Sequence, residues 1–156
     1  MPPENSPLAL GEPELWELSP PADAEGFLRA VANLLTSDSS LYFEGTSIAP
    51  DVAAFFRAHS SASPRHIRRG TLWPRPATFH VDYTPEVLQG LISLVNAHAS
   101  PELCEHLHAY DSEGLIFCWY DAFTDNPVLL SSRVPEQSVA ALAHALSASY
   151  ARVRGA

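Results

Sequence analysis

The sequence predicts an α+β fold: one mainly antiparallel sheet of about five strands, with helices packed chiefly on one face. Three observations carry that expectation. Strand-type runs between residues 104 and 134 follow one another with short connections, whereas parallel strands would need a helical crossover between them. The remaining periodic segments give the order α-β-α-β-α-β-β-β-α. At 156 residues, 46% hydrophobic and 17% charged, the chain has the length and apolar content of one domain with a core of its own.

Residues 1–20 hold Pro2, Pro3, Pro7, Pro13 and Pro20, a composition that resists regular structure and reads as a tail, flexible or docked, preceding a domain over 21–156. Leu15, Trp16 and Leu18 could dock this tail or add an edge strand, since a bare Trp16 is costly. From Pro21, Phe27, Leu28, Val31, Leu34 and Leu35 recur on one helical face up to about Thr36. Leu41 to Glu44 is a short strand, and Ala49-Pro50-Asp51 opens a second helix with Val52, Phe55 and Phe56 inward. Residues 59–76 form a long irregular segment rich in Ser, Pro and Arg, and loops of that length are often functional or disordered.

Ala77 to Tyr83 alternates Phe79, Val81 and Tyr83 against Thr78, His80 and Asp82, the pattern of a half-buried strand. Thr84-Pro85-Glu86 then supplies a cap, a first-turn proline and a first-turn acid for a helix through about His98. Pro127 to Val134 reads as a strand. A last helix opens at Pro135-Glu136, with Val139, Leu142, Leu146 and Tyr150 on one face.

Between the third helix and the strand at 127–134 lies a hairpin. Asp111-Ser-Glu-Gly114 joins two alternating runs and suits a loop built on a type I turn, with Gly114 taking positive φ. With Asp111 opposite Leu115, Ala109 faces Phe117, Leu107 faces Trp119, His108 faces Cys118 and His106 faces Tyr120. One hairpin face, Leu107, Ala109, Phe117 and Trp119, reads as core. The other carries Cys104, His106, His108, Tyr110, Ile116, Cys118 and Tyr120, a mixed face turned to solvent or to a partner.

Composition excludes several chemistries. No lysine occurs, which removes Schiff bases and phosphate-loop lysines. The seven glycines are dispersed, so no glycine-rich phosphate cradle exists. A formal charge of −9 disfavours nucleic acid and anionic membrane as partners, and no run approaches the roughly 18 apolar residues of a membrane span. The first ten residues lack a basic region followed by an apolar stretch, so a cytoplasmic location is expected. Charge is uneven, however. Arg57, Arg65, Arg68, Arg69 and Arg75 occupy a stretch between Asp51 and Asp82 that has no acid of its own.

Four sets of candidate residues follow. Cys104, His106, His108 and Cys118 offer thiols and imidazoles of the kind that bind zinc, set against polar histidines and buried thiols with no ligand. His80 and Asp82 share a strand face and could act as acid and base. Arg65, Arg68, Arg69 and Arg75, interleaved with Trp73, could bind a phosphate, a carboxylate or an acidic protein surface, or pair with the chain's own acids, Asp82 and Glu86 among them. Tyr110 and Tyr120 could belong to an aromatic recognition patch, or lie under a cover. The pattern favours a small binding or self-associating protein, without cofactor, that uses the sheet face or the arginine loop toward a protein partner or its own copy. A metal-binding protein or hydrolytic enzyme centred on the His/Cys set is the alternative.

Overall fold

A computed structural model describes residues 8–155; the first seven residues of the expected tail lie outside the described residues. The fold is α+β, with five α-helices on a sheet of seven antiparallel strands rather than five. In chain order the strands are β1 (Glu14–Leu18), β2 (Ser40–Gly45), β3 (Ala77–Asp82), β4 (His106–Asp111), β5 (Gly114–Trp119), β6 (Val128–Ser131) and β7 (Tyr150–Arg154), and they lie side by side as β3-β2-β4-β5-β6-β1-β7. The helices are α1 (Ala24–Val31), α2 (Pro50–Ala58), α3 (Pro85–Ala97), α4 (Ser100–Leu103) and α5 (Glu136–Ala145).

Local signals set most of these boundaries. Asp23 accepts a hydrogen bond from Gly26 N and Thr84 one from Val87 N, capping α1 and α3. Pro50 and Pro85 stand in first turns, where a missing N–H costs nothing. Helix after helix turns its apolar residues to one cluster: Phe27 and Leu28 of α1, Val52 and Phe56 of α2, Val87 and Leu91 of α3, Leu103 of α4, Val139 and Leu142 of α5. These meet Leu41, Phe43, Leu107, Phe117, Trp119 and Leu130 of the sheet. Phe27 lies 4.6 Å from Trp119 and Phe43 stacks on Phe56 at 4.1 Å, centroid to centroid. The helices therefore occupy one face, as the sequence predicts. Among the described residues no helix is long and apolar enough to cross a membrane.

Two strands depart from the pattern-based expectation. Residues 14–18 form an interior strand rather than an edge one, since β1 pairs β6 on one side and β7 on the other. Trp16 and Leu18 enter the helix-side core, and Trp16 Nε1 donates to Val134 O at 3.0 Å. The last helix stops at Ala145; Ser147 adopts φ 51° and the chain reverses, so Tyr150 begins β7 instead of lining a helix. Pairing with β1 decides this segment, and a window of local sequence does not contain that partner.

The hairpin has the expected pairing away from its turn and a different one beside it. Leu107 faces Trp119, His108 faces Cys118 and Ala109 faces Phe117, but a bulge then shifts the ladder so that Tyr110 faces Leu115 and Asp111 faces Gly114. Gly114 has φ 133°, a region that favours glycine. The extra residue in the bulged strand flips side-chain parity. Ile116 consequently joins the helix-side core, and Leu115 takes its place on the other face.

Candidate functional site

The antiparallel register arranges the second sheet face in rows. Tyr42 on β2 stands between His80 on β3 and His108 on β4, and His108 in turn faces Cys118 on β5. The Tyr42 ring lies 5.1 Å from His80 and 5.5 Å from His108, stacked on the latter. One row along, Glu44 faces His106; in the other direction, Ser40 separates Asp82 from Tyr110. Side chains of this face come from strands far apart in sequence, because β2 sits between β3 and β4.

This face is covered rather than open. Residues 65–71 and Leu8 to Leu10 lie over it, and Ile67 packs with Tyr42, Tyr110, Leu115 and Cys118, with Leu8 and Leu10 at the margin. Leu8 N donates to His66 O at 2.7 Å. Arg65 N donates to the Tyr110 hydroxyl, and Arg65 Nη1 to the carbonyls of Asp111 and Ser112 at 3.1 and 3.2 Å. Tyr110, His106, His108 and Cys118 are all buried. Tyr120 remains 40% exposed.

Glu44 holds the loop down. Its carboxylate has no solvent exposure and accepts three hydrogen bonds: from the Tyr42 hydroxyl at 2.6 Å, from Gly70 N at 3.2 Å and from Thr71 N at 2.6 Å. A buried carboxylate is tolerated only when its lone pairs are met in this way. Gly70 can approach because it lacks a Cβ; one placed there would lie 2.7 Å from His106 Cδ2 and 3.2 Å from the Tyr120 ring. Beyond this anchor the loop projects outward, with Leu72 and Trp73 exposed to 88% and 87%.

Hydrogen bonding fixes the histidine tautomers. Asp121 N donates to His106 Nδ1 at 3.1 Å, so the proton of that ring is on Nε2. Nε2 donates to the Thr71 hydroxyl at 2.9 Å, which donates to Glu105 Oε2 at 2.8 Å. Both nitrogens of His106 are thus engaged. On His108, Nδ1–H donates to Leu107 O at 3.0 Å, and the buried Nε2 lone pair has no partner among the described residues. Burial, with His106 alongside, lowers the His108 pKa to about 3, so the ring is neutral at physiological pH. Burial pushes the Cys118 thiol up to about 12, although a hydrogen bond with Tyr120 opposes the shift. That is the reverse of what a thiol nucleophile needs.

The four proposed metal ligands are not brought together. Cys104 ends α4 and packs in the helix-side core, on the opposite side of the sheet from His106, His108 and Cys118, where burial pushes its thiol well above the ordinary range. Among the described residues no group of three or more His, Cys, Asp and Glu side chains is placed to hold a metal ion. His80 and Asp82 share a strand but not a hydrogen bond: His80 Nδ1 meets the Tyr110 hydroxyl at 2.9 Å, and Asp82 accepts from Ser40 Oγ at 3.4 Å. Burial, together with His66, lowers the His80 pKa.

The arginine segment also differs from one expectation. None of Arg57, Arg65, Arg68, Arg69 and Arg75 makes an ion pair among the described residues, so pairing with Asp82 or Glu86 does not occur. Sequence reasoning missed the roles of Glu44, Thr71 and Glu105. The available signal was Glu44 itself, an acid inside the apolar run Leu-Tyr-Phe-Glu on the same strand face as Tyr42. Compared with protein-family models, with curated proteins and with solved structures, the chain matches none.

Proposed function

We propose that this protein is a non-catalytic binding module that engages a protein partner through the tip of its arginine-rich loop. One observation carries the reading: Leu72 and Trp73 are almost fully exposed on a loop whose base is tied to the buried Glu44 carboxylate. A large apolar pair left in water is unfavourable unless another surface covers it. Holding the pair on an anchored loop lowers the ordering cost of association.

Tryptophan flanked by arginine is the composition of an interface hot spot. Arg68 and Arg75 are exposed and without ion pairs among the described residues, so they favour a partner surface with carboxylates around an apolar pocket. The test is photo-crosslinking in the native cell from a reactive side chain at position 72, beside a control at the exposed helical position Gln89. The expected result is a discrete adduct from 72 alone, weakened by Trp73→Ala and by Arg68→Glu/Arg75→Glu. The same products from both positions, or none from 72, would refute the reading; a self-adduct would identify the partner as a second copy.

A further inference from the structure

A separate cleft of about 300 Å³ opens at the β2–β3 end of the covered face. Tyr42 and His80 line it from the sheet, Arg65, His66 and Arg69 from the loop, and Thr78 from the edge strand. We propose that this cleft is a binding site for a phosphate monoester, distinct from the exposed Trp73 tip.

The case rests on counting donors and acceptors. No carboxylate among the described residues lines the cleft; Glu44, which faces Thr78 on the ladder, spends its oxygens on Tyr42, Gly70 and Thr71. The donors, by contrast, are unspent. Arg65 is held in place by Nη1 on the Asp111 and Ser112 carbonyls, and its Nε and Nη2 have no acceptor among the described residues. Arg69 makes no hydrogen bond or ion pair among them. The Tyr110 hydroxyl accepts from Arg65 N and lies 2.9 Å from His80 Nδ1, while His80 Nε2 has no hydrogen-bond partner among the described residues. The Thr78 hydroxyl has none either.

These groups also sense one another: His66 depresses the pKa of His80, and the Arg69 charge acts on the Tyr42 hydroxyl. A planar carboxylate is met by a single guanidinium fork. A phosphate monoester offers three peripheral oxygens and matches the several separate donors, Arg65, Arg69 and Thr78 among them, that line the cleft. The volume suits a group of this size at the small end of ligand sites.

The experiment is an amide and histidine-ring NMR titration of the full chain at constant ionic strength. Its probes are inorganic phosphate, O-phosphoserine, a short phosphoserine peptide and acetate. Saturable shifts confined to Tyr42, residues 65–69, Thr78 and His80 are expected, with phosphate at least about 10-fold tighter than acetate. Arg69→Gln, at an exposed position, should weaken binding about 10-fold and His80→Leu should do the same, while Trp73→Ala leaves it unchanged. Tighter binding of the peptide than of O-phosphoserine would identify a partner's phosphorylated side chain as the source; equal binding would identify a free phosphate ester. Shifts that rise linearly without saturation, that match those of acetate, or that survive Arg69→Gln would overturn the proposal. Loss of phosphate binding in Trp73→Ala would do so as well, because the two sites would then be one.

Discussion

Glu44 is the residue on which the loop depends, and its environment makes a sharp demand. Three donors converge on its two oxygens. In Glu44→Gln an amide NH2 replaces one acceptor and opposes a backbone N–H, so unfolding stability should fall by about 2–4 kcal/mol in urea titrations. A loss below about 0.5 kcal/mol would mean that the donors find water instead. His108 makes a different demand, one that varies with pH. Its folded pKa of about 3 lies below the unfolded reference of 6.5, so the unfolded state binds the proton first. The neutral, buried ring then costs nothing above pH 6.5 and reduces stability as pH falls from there toward 3, at up to ~1.4 kcal/mol per pH unit. His108→Leu should flatten that part of the stability profile. His98 acts in the opposite sense, since Glu102 and Asp51 raise its pKa: its contribution is present below 6.5 and fades as pH rises through the folded value.

Loop and hairpin show how far sequence reaches at the scale of elements. Helix α1 is legible from its one-face apolar spacing, although it ends at Val31 rather than near Thr36, α2 and α3 from first-turn prolines and the Thr84 cap, and Leu107 to Ala109 find their partners because strand parity is local too. The bulge that turns Ile116 inward was not legible: whether a type I turn spends its extra residue at the turn or one pair further on depends on packing across the sheet. For the same reason Cys104 looked like a neighbour of His106, although the α4 end places it on the other side. Segment 59–76 could be recognised as long and cationic, but the carboxylate that secures it lies on β2, and only the tertiary fold joins them. Gly70 at that junction yields a test. A methyl group in Gly70→Ala would meet the His106 ring, so the loop base should lift and amide exchange of residues 66–72 should quicken about 10-fold or more, while the helices stay protected. Unchanged exchange would show that the His106 ring yields instead.

At the scale of the molecule, the sheet has two halves of different character. Strands β3, β2, β4 and β5 bear the polar rows and the cover, whereas β6, β1 and β7 complete the core beneath α5. Because β1 is interior and Leu18 is fully buried, Leu18→Ala should cost about 2–5 kcal/mol in a single cooperative transition. A tail merely resting on the body would lose far less, or would unfold in a separate step.

The place of β1 also bears on how a ribosome must deliver this fold. Residues 14–18 emerge more than a hundred residues before either strand they pair with, Val128–Ser131 and Tyr150–Arg154. Through most of translation Leu15, Trp16 and Leu18 have no ladder to join, while the strands between residues 40 and 119 can already assemble. Until those strands emerge, the nascent chain carries an unpaired, apolar strand for several seconds at ordinary elongation rates, an exposure that favours misassembly.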